Sequence, residues 1–148
     1  MENKRSFTLI ELLVVIAVLA GLMALLVPNF MQVRVKSRDM RRKSDLKAIQ
    51  KALELYKLGQ TLPVYPAVGA LIACSSLVDA NGTVYMQKVP QDPLVQCPTA
   101  GAYSYAPAVD LGSYVLSACL EDKNDPEKGA CPGGFTCASS KCYQLTQP

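Results

Sequence analysis

The chain has 148 residues, a formal net charge of +3 at pH 7, six cysteines, and neither histidine nor tryptophan. Without histidine it cannot build the Ser–His or Cys–His pair of many nucleophilic enzymes, and the sequence contains no glycine-rich phosphate-binding loop. The composition therefore argues against an enzyme, and the small positive charge does not favour a dedicated nucleic-acid protein.

The first predicted element is an apolar helix long enough to cross a membrane. A short basic leader, residues 1–6, precedes it, and sixteen uninterrupted apolar residues run from Leu12 to Val27. As a helix, residues 7–27 would be about 31 Å long, which matches the hydrocarbon core of a bilayer. Glu11 is the exception in this segment, because an ionised carboxylate in hydrocarbon is costly unless it finds a partner.

A cleaved secretory signal peptide is the alternative for this segment. No small-x-small cleavage pattern follows the apolar run, which continues instead as Val27-Pro28-Asn29. The run is also long for a signal peptide and carries a charge at its leading edge, so a retained membrane helix is favoured.

The sequence Phe7-Thr8-Leu9-Ile10-Glu11, behind a basic leader and ahead of an apolar helix with Pro28, resembles the signature of type IV pilins and type II secretion pseudopilins. The resemblance implies cleavage between Ser6 and Phe7 by a prepilin peptidase, followed by N-methylation of the Phe7 amine. The family prefers glycine before the cut, where this chain has Ser6. The resemblance also implies that Glu11 and Pro28 serve assembly, with Glu11 meeting the Phe7 amine of a neighbouring subunit. From the residues alone, the alternative is that Glu11 reaches the cytoplasmic headgroups.

An amphipathic helix is predicted over residues 29–59, after a kink or local melting at Pro28. Gly59 is the predicted stop. One apolar stripe with spacings of three, four and three is expected to cover the head domain, residues 60–148; its members are Leu46, Ile49, Leu53 and Tyr56. The weaker stripe of residues 29–42 is expected to pack against other subunits.

Eight of the fifteen lysines and arginines lie between Arg34 and Lys51. We expect a solvated helix face, resting on anionic headgroups, with DNA binding as the alternative. Counted by the positive-inside rule, these cations would keep the head in the cytoplasm. The cysteines indicate the opposite, because six of them in a loop-rich segment predict disulfides and an oxidising compartment.

The head is predicted to be α+β, with a helix packed on a small antiparallel sheet of three or four strands. A short helix is expected over residues 68–77, a turn at Asn81-Gly82, and strands over 84–89, 102–106 and 113–118.

Six cysteines are disulfide candidates, and fifteen pairings are open: Cys74, Cys97, Cys119, Cys131, Cys137 and Cys142. The last three are expected to staple the tail. Zinc is disfavoured, because their spacing lacks a Cys-x2-Cys knuckle and the chain has no histidine.

A second, patchier resemblance is to the major pseudopilin of type II secretion. It rests on the segments Leu53-Glu54-Leu55-Tyr56-Lys57, Tyr65-Pro66, Lys88-Val89-Pro90-Gln91-Asp92-Pro93 and Tyr103-Ser104-Tyr105. Leu94-Val95-Gln96-Cys97-Pro98 replaces the family's aromatic and Gly-Asn segment. The resemblance implies a calcium loop, for which this chain offers Glu121, Asp122, Asn124 and Asp125. A solvated turn is the alternative for this stretch, and no other cofactor is expected.

Together these features predict a structural subunit of a type IV pilus-like filament, polymerised through its N-terminal helix. The resemblance implies partners: further copies of the chain, minor pilins, the prepilin peptidase, an assembly platform protein and an ATPase. It also implies a single-pass position in the cytoplasmic membrane with the head outside, then a cell-surface pilus or a periplasmic pseudopilus. The alternatives are a major pseudopilin that drives protein secretion and, in another class, a membrane-anchored ligand- or DNA-binding domain.

Overall fold

The computed structural model describes residues 7–97 and 103–147, with the backbone alone for residues 26–29. Its dominant element is α1, Leu9–Gly59, a helix of 51 residues that ends at the glycine predicted to stop it. The helix continues without a break across Pro28, so the local melting expected there is wrong. Proline removes only one backbone donor, and the hydrogen bonds of the neighbouring turns are sufficient to keep the helix together.

The described chain divides into two compact units at Val35 and Lys36. In the first unit, the apolar side chains of the helix face outward: Leu9 is 82% exposed and Leu25 is 71% exposed. By length and composition this helix is sufficient to cross a membrane.

The second unit packs the remainder of α1 on two small antiparallel sheets. Strands β1 (Leu77–Val78) and β2 (Val84–Met86) pair with each other. Strands β3 (Tyr103–Pro107), β4 (Tyr114–Cys119) and β5 (Cys142–Thr146) form a sheet in that order, with antiparallel neighbours. The architecture is α+β, as the sequence predicts.

The core lies between the predicted helix stripe and β4. Leu46, Ile49 and Leu53 are fully buried, as is Leu116 on the strand opposite. Tyr56, the last member of the stripe, is partly buried against this core. The prediction that this face of the helix covers the head is therefore confirmed.

Tyrosine hydroxyls connect the sheet to the helix. Tyr103 donates to Asp45 at 2.8 Å, and Tyr114 donates to Glu54 at 3.0 Å. Tyr65, in the segment after the helix, donates to the same Glu54 carboxylate at 2.9 Å. Because phenols bury a large apolar ring and still satisfy their hydroxyl, these contacts fix the sheet on the helix without leaving a polar group unpaired.

Two predictions about the head are wrong. Residues 68–76 form turns rather than a helix, and Leu77 begins β1. Cys74 has a left-handed backbone (φ 67°) and a disulfide to Cys97, and neither suits a continuing helix. The strand predicted over 84–89 ends at Met86, because the backbone of Val89 bonds instead to Cys74 and Ser75.

The other boundaries are close to the predicted ones. Strands β3 and β4 each lie one residue beyond the predicted range, and Asn81-Gly82 forms the turn between β1 and β2, with Gly82 at φ +82°. Strand β5 is not predicted, although Tyr143 and Leu145 alternate with polar residues as a strand requires.

Candidate functional site

The helix begins with the Thr8 half of a capping box, formed by residues of the predicted processing motif. The backbone N–H of Glu11 donates to the Thr8 hydroxyl oxygen at 3.3 Å, and that hydroxyl donates to the Glu11 carboxylate at 3.4 Å. Thr-x-x-Glu is the pattern of such a cap, and a negative charge in the first turn also suits the helix dipole. The two sequence-based interpretations of Glu11, pairing with a neighbouring amine or reaching the headgroups, do not include this local contact, although the Thr-x-x-Glu spacing indicates it.

The other residues predicted for processing and assembly are only partly described. Phe7 is 77% exposed at the start of the described chain. Ser6 and the side chain of Pro28 lie outside the described residues. A free amine at Phe7 would lie next to Thr8, four residues before Glu11. The two charges that the resemblance pairs between neighbouring subunits, the Phe7 amine and the Glu11 carboxylate, are therefore at the same end of the helix.

The apolar surface behind Glu11 is exposed in the single chain. Along α1, side chains from Leu9 to Leu25 on every face of the helix are accessible, including Leu12 at 59% and Val15 at 47%. A helix that is apolar all round is stable only in lipid or against other apolar helices. The arrangement can therefore anchor the chain in a membrane and pack against like helices.

A second cluster, the buried ion cluster, lies where the helix meets the head. Arg42 is only 3% exposed and forms a two-bond fork to Asp92, with Nε–Oδ2 at 2.6 Å and Nη2–Oδ1 at 3.0 Å. Its Nη1 donates to Asp39 at 2.7 Å and to Glu121 at 2.6 Å. Burial alone would lower the pKa of Arg42, but these carboxylates outweigh burial and raise it.

Arg38 extends this cluster toward the loop after β4. Its Nε donates to Glu121 at 2.8 Å. This bond is the largest cause of the lowered pKa of Glu121, which falls from 4.5 to about 2; burial opposes the shift, and the bonds from Arg42 add to it. Asp39 accepts the backbone N–H of Glu121 at 3.0 Å and that of Asp122 at 2.8 Å. The start of the loop is therefore fixed through its backbone and through its first carboxylate.

Lys43 holds the other end of the same loop. Its ammonium group donates to both oxygens of Asp125, at 2.7 and 2.8 Å, and to Glu127 at 2.7 Å. Of the eight helix cations between Arg34 and Lys51, three are thus paired with head carboxylates, and the expectation of a uniformly solvated basic face is wrong for Arg38, Arg42 and Lys43. At the end of the segment 29–42, which is predicted to pack against other subunits, Asp39 and Arg42 are buried within their own head.

The four residues predicted to bind calcium do not form one cage. Glu121 and Asp125 are paired with different helix cations, and Asp122 accepts the backbone N–H of Asn124 at 2.9 Å. Within the described residues, the one group of ligating side chains close enough for a metal consists of Cys119, Cys137 and Cys142. Their sulfur atoms belong to disulfides and are unavailable as thiolate ligands.

All six cysteines form disulfides, as predicted. The pairs are Cys74–Cys97, Cys119–Cys137 and Cys131–Cys142. The tail is stapled as expected, but Cys137 joins β4 rather than another tail cysteine. Cys119 and Cys142 face each other across β4 and β5, so the two tail disulfides lie side by side, with the Cys137 and Cys142 sulfur atoms 3.2 Å apart.

Comparisons with known proteins agree with this arrangement. Residues 1–27 match the family model described as the prokaryotic N-terminal methylation motif. The chain is 36% identical over 101 residues to type II secretion system core protein G of Klebsiella pneumoniae, covering 63% of this chain and 71% of that protein. It is 33% identical over 102 residues to the core protein G of Escherichia coli K12, covering 62% and 68%.

A pilin is also among the similar proteins. The chain is 41% identical over 58 residues to the type IV wide pilus major component PilA4 of Thermus thermophilus, covering 39% of this chain and 44% of that protein. No solved structure gives a significant match. With its methylation motif, its long apolar helix and its disulfide-bonded α+β head, the chain belongs to the type IV pilin and type II secretion pseudopilin family.

Proposed function

We propose that the chain is a structural subunit of a type IV pilus-like filament, processed by prepilin peptidase between Ser6 and Phe7 and polymerised through α1. The observation that carries this proposal is the apolar surface of the helix from Leu9 to Leu25, exposed on all faces and headed by one carboxylate. Lipid and a bundle of like helices are the two environments that can cover such a surface.

The carboxylate supplies the register of the bundle. An intramembrane charge is costly alone, and the Phe7 amine of a neighbouring subunit would neutralise it. The capping box holds the Glu11 side chain beside Thr8, at the end of the helix where such an amine would arrive. The intramolecular contact is long and single, so the remaining acceptor capacity of the carboxylate is open to a partner.

A pseudopilus of type II secretion is the second candidate for the filament. The matches to core protein G extend over 101 and 102 residues, about twice the length of α1, and therefore include the head. The match to the pilin covers only 58 residues. This difference favours the pseudopilus, although the segment Leu94-Val95-Gln96-Cys97-Pro98 departs from the pattern of a major pseudopilin.

The first test is the mature N-terminus. We expect intact mass and N-terminal sequencing of the protein from native envelopes to show a chain that starts at methylated Phe7. Recovery in a sheared surface fraction would identify a pilus, and retention in the envelope would identify a pseudopilus. A chain that starts at Met1 or beyond Val27 would contradict the proposal.

The second test separates charge from helix capping. Glu11→Gln keeps a side chain that suits a capping box but removes the charge, and Thr8→Ala removes the capping hydroxyl but keeps the charge. We expect both variants to insert in the membrane, and only Glu11→Gln to fail to enter filaments. Normal filament yield from Glu11→Gln would refute the pairing role.

The alternative function, a membrane-anchored ligand-binding domain, predicts a different result. In that case α1 is only an anchor, and a scrambled apolar sequence from Leu12 to Leu25 would leave function intact. DNA binding is less favoured than the charge count suggests, because Arg38, Arg42 and Lys43 are already paired with carboxylates.

A further inference from the structure

The loop that leaves β4, residues 120–128, is rich in carboxylates, and the resemblance leads one to expect calcium there. Glu121, Asp122, Asp125 and Glu127 all lie within these nine residues. Such a loop needs positive charge nearby, because four carboxylates in a short segment repel one another. The question is which cation supplies that charge.

We propose that α1 of the protein itself supplies this positive charge. Arg38, Arg42 and Lys43 then hold the loop in the place expected for calcium, and the head folds independently of calcium. These three cations and the loop carboxylates they bind are called the helix clamp. The clamp is complete at both ends of the loop: Arg38 and Arg42 bind Glu121, and Lys43 binds Asp125 and Glu127.

The oxygens of two of the predicted calcium ligands, Glu121 and Asp125, already accept hydrogen bonds from the helix cations. Oε1 of Glu121 accepts from Arg38 at 2.8 Å and from Arg42 at 2.6 Å, while Oε2 accepts from Arg38. Both oxygens of Asp125 accept from Lys43. Calcium requires six to eight oxygen ligands at about 2.3–2.6 Å, and here it would also stand beside three positive side chains.

The ends of the loop are fixed without a metal as well. Asp39, on the helix, accepts the backbone N–H groups of Glu121 and Asp122. Beyond the loop, Gly129 exchanges two backbone hydrogen bonds with Cys142 of β5, at 2.7 and 3.1 Å. The disulfides Cys119–Cys137 and Cys131–Cys142 bracket the same segment. Ion pairs, backbone bonds and covalent bonds together therefore fix both ends of the loop without a divalent ion.

The decisive test uses the full-length protein in detergent micelles and calcium itself as the probe. Thermal unfolding is followed by tyrosine fluorescence in millimolar CaCl2 and in EGTA, and calcium binding is measured by isothermal titration calorimetry. We expect the same Tm in both solutions and no saturable heat of binding. A Tm that rises in calcium, with a saturable heat that Asp125→Asn abolishes, would overturn the proposal.

A matched pair of variants tests the clamp directly. Lys43→Gln removes the cation that faces Asp125 and Glu127, whereas Lys47→Gln removes an exposed lysine one helical turn away. We expect Lys43→Gln to lower the Tm by roughly 2–5 °C and Lys47→Gln to leave it unchanged. Equal Tm values for the two variants would overturn the clamp.

A double-mutant cycle distinguishes pairing from mere proximity. If Lys43 and Asp125 act as a pair, Lys43→Gln and Asp125→Asn together lower the Tm by less than the sum of the single losses. Additive losses would overturn the pairing.

Discussion

Arg42→Met should lower the free energy of unfolding of the head strongly, although it changes the side-chain volume little. It removes one guanidinium from a site where Arg42, Asp39 and Asp92 are 3%, 1% and 5% exposed. Methionine fills much of the same space, so the cost arises from two carboxylates left buried without their cation rather than from a cavity.

The expected loss of unfolding free energy depends on the hydrogen bonds that the carboxylates keep after Arg42 is removed. Breaking a buried pair by removing one partner costs about 3–5 kcal/mol. Asp39 keeps two backbone donors from the loop, Asp92 keeps the N–H of Leu94 at 2.8 Å, and Glu121 keeps Arg38. These partial compensations favour the lower end of the range, about 3 kcal/mol, which is a large fraction of the ~5–15 kcal/mol typical of a whole domain.

The assay exploits the distribution of aromatic residues. The chain has no tryptophan, and its seven tyrosines all lie between residues 56 and 143, so tyrosine fluorescence reports on the second compact unit and not on the apolar first part of α1. Urea unfolding of the full chain in micelles then gives the loss for Arg42→Met, with exposed Arg41→Met as the matched control. The control should stay within about 0.5 kcal/mol of the parent. A loss below about 1 kcal/mol for Arg42→Met would refute the reasoning, because the buried carboxylates would then not depend on their cation.

Two further predictions concern acid and covalent stability. Because the folded pKa of Glu121, about 2, lies below 4.5, its contribution is fully present above pH 4.5 and is lost as the pH falls toward 2. That displacement corresponds to ~3 kcal/mol at most, and partial exposure reduces it to roughly 2 kcal/mol. The lowered pKa of Asp125 acts in the same direction, and the pKa of Asp45, raised by burial, acts in the opposite one. Urea unfolding at several pH values should show this loss, and Glu121→Gln should flatten it; an unchanged slope in that variant would contradict the assignment. For the covalent contribution, Cys119→Ser with Cys137→Ser should lower the free energy of unfolding by about 2–4 kcal/mol. The same urea assay measures it, and an unchanged unfolding midpoint would show that β4 and β5 hold the tail without this disulfide.

The parts of the fold that sequence predicts best are those set by local periodicity. The stripe from Leu46 to Tyr56 and the stop at Gly59 depend on helical spacing and backbone freedom, which a sequence displays directly. The alternating patterns of β3 and β4 are likewise visible, and each boundary is within one residue.

The parts that sequence misses depend on contacts between distant segments. Nothing near Arg42 indicates that its partners are Asp92 and Glu121, 50 and 79 residues later. A basic helix segment is usually a solvated face, and only the approach of the loop after β4 turns this one into a buried ion cluster. The turns at residues 68–76 have a similar cause, since the Cys74–Cys97 disulfide overrides local helix propensity.

The capping box at Thr8 and Glu11 is different, because its pattern is fully local. The Thr-x-x-Glu spacing that indicates it lies within the same residues as the predicted processing motif. Glu11, which is predicted to meet a neighbouring subunit, thus has an intramolecular contact with Thr8 in the structure.

The sequence separations within the helix clamp determine when the head can close. The loop carboxylates of the helix clamp follow their cations, Arg38, Arg42 and Lys43, by 79 to 84 residues. Contacts over such distances incur their loop-closure entropy before they contribute any stability, so they form late in folding. During synthesis the helix therefore emerges long before these loop carboxylates, and a chain truncated before Glu121 leaves Arg38 and Lys43 without their head partners and lacks β5. Closure of the head thus requires a chain synthesised at least through β5, because Glu121, Asp125 and Glu127 complete the helix clamp and β5 completes the sheet.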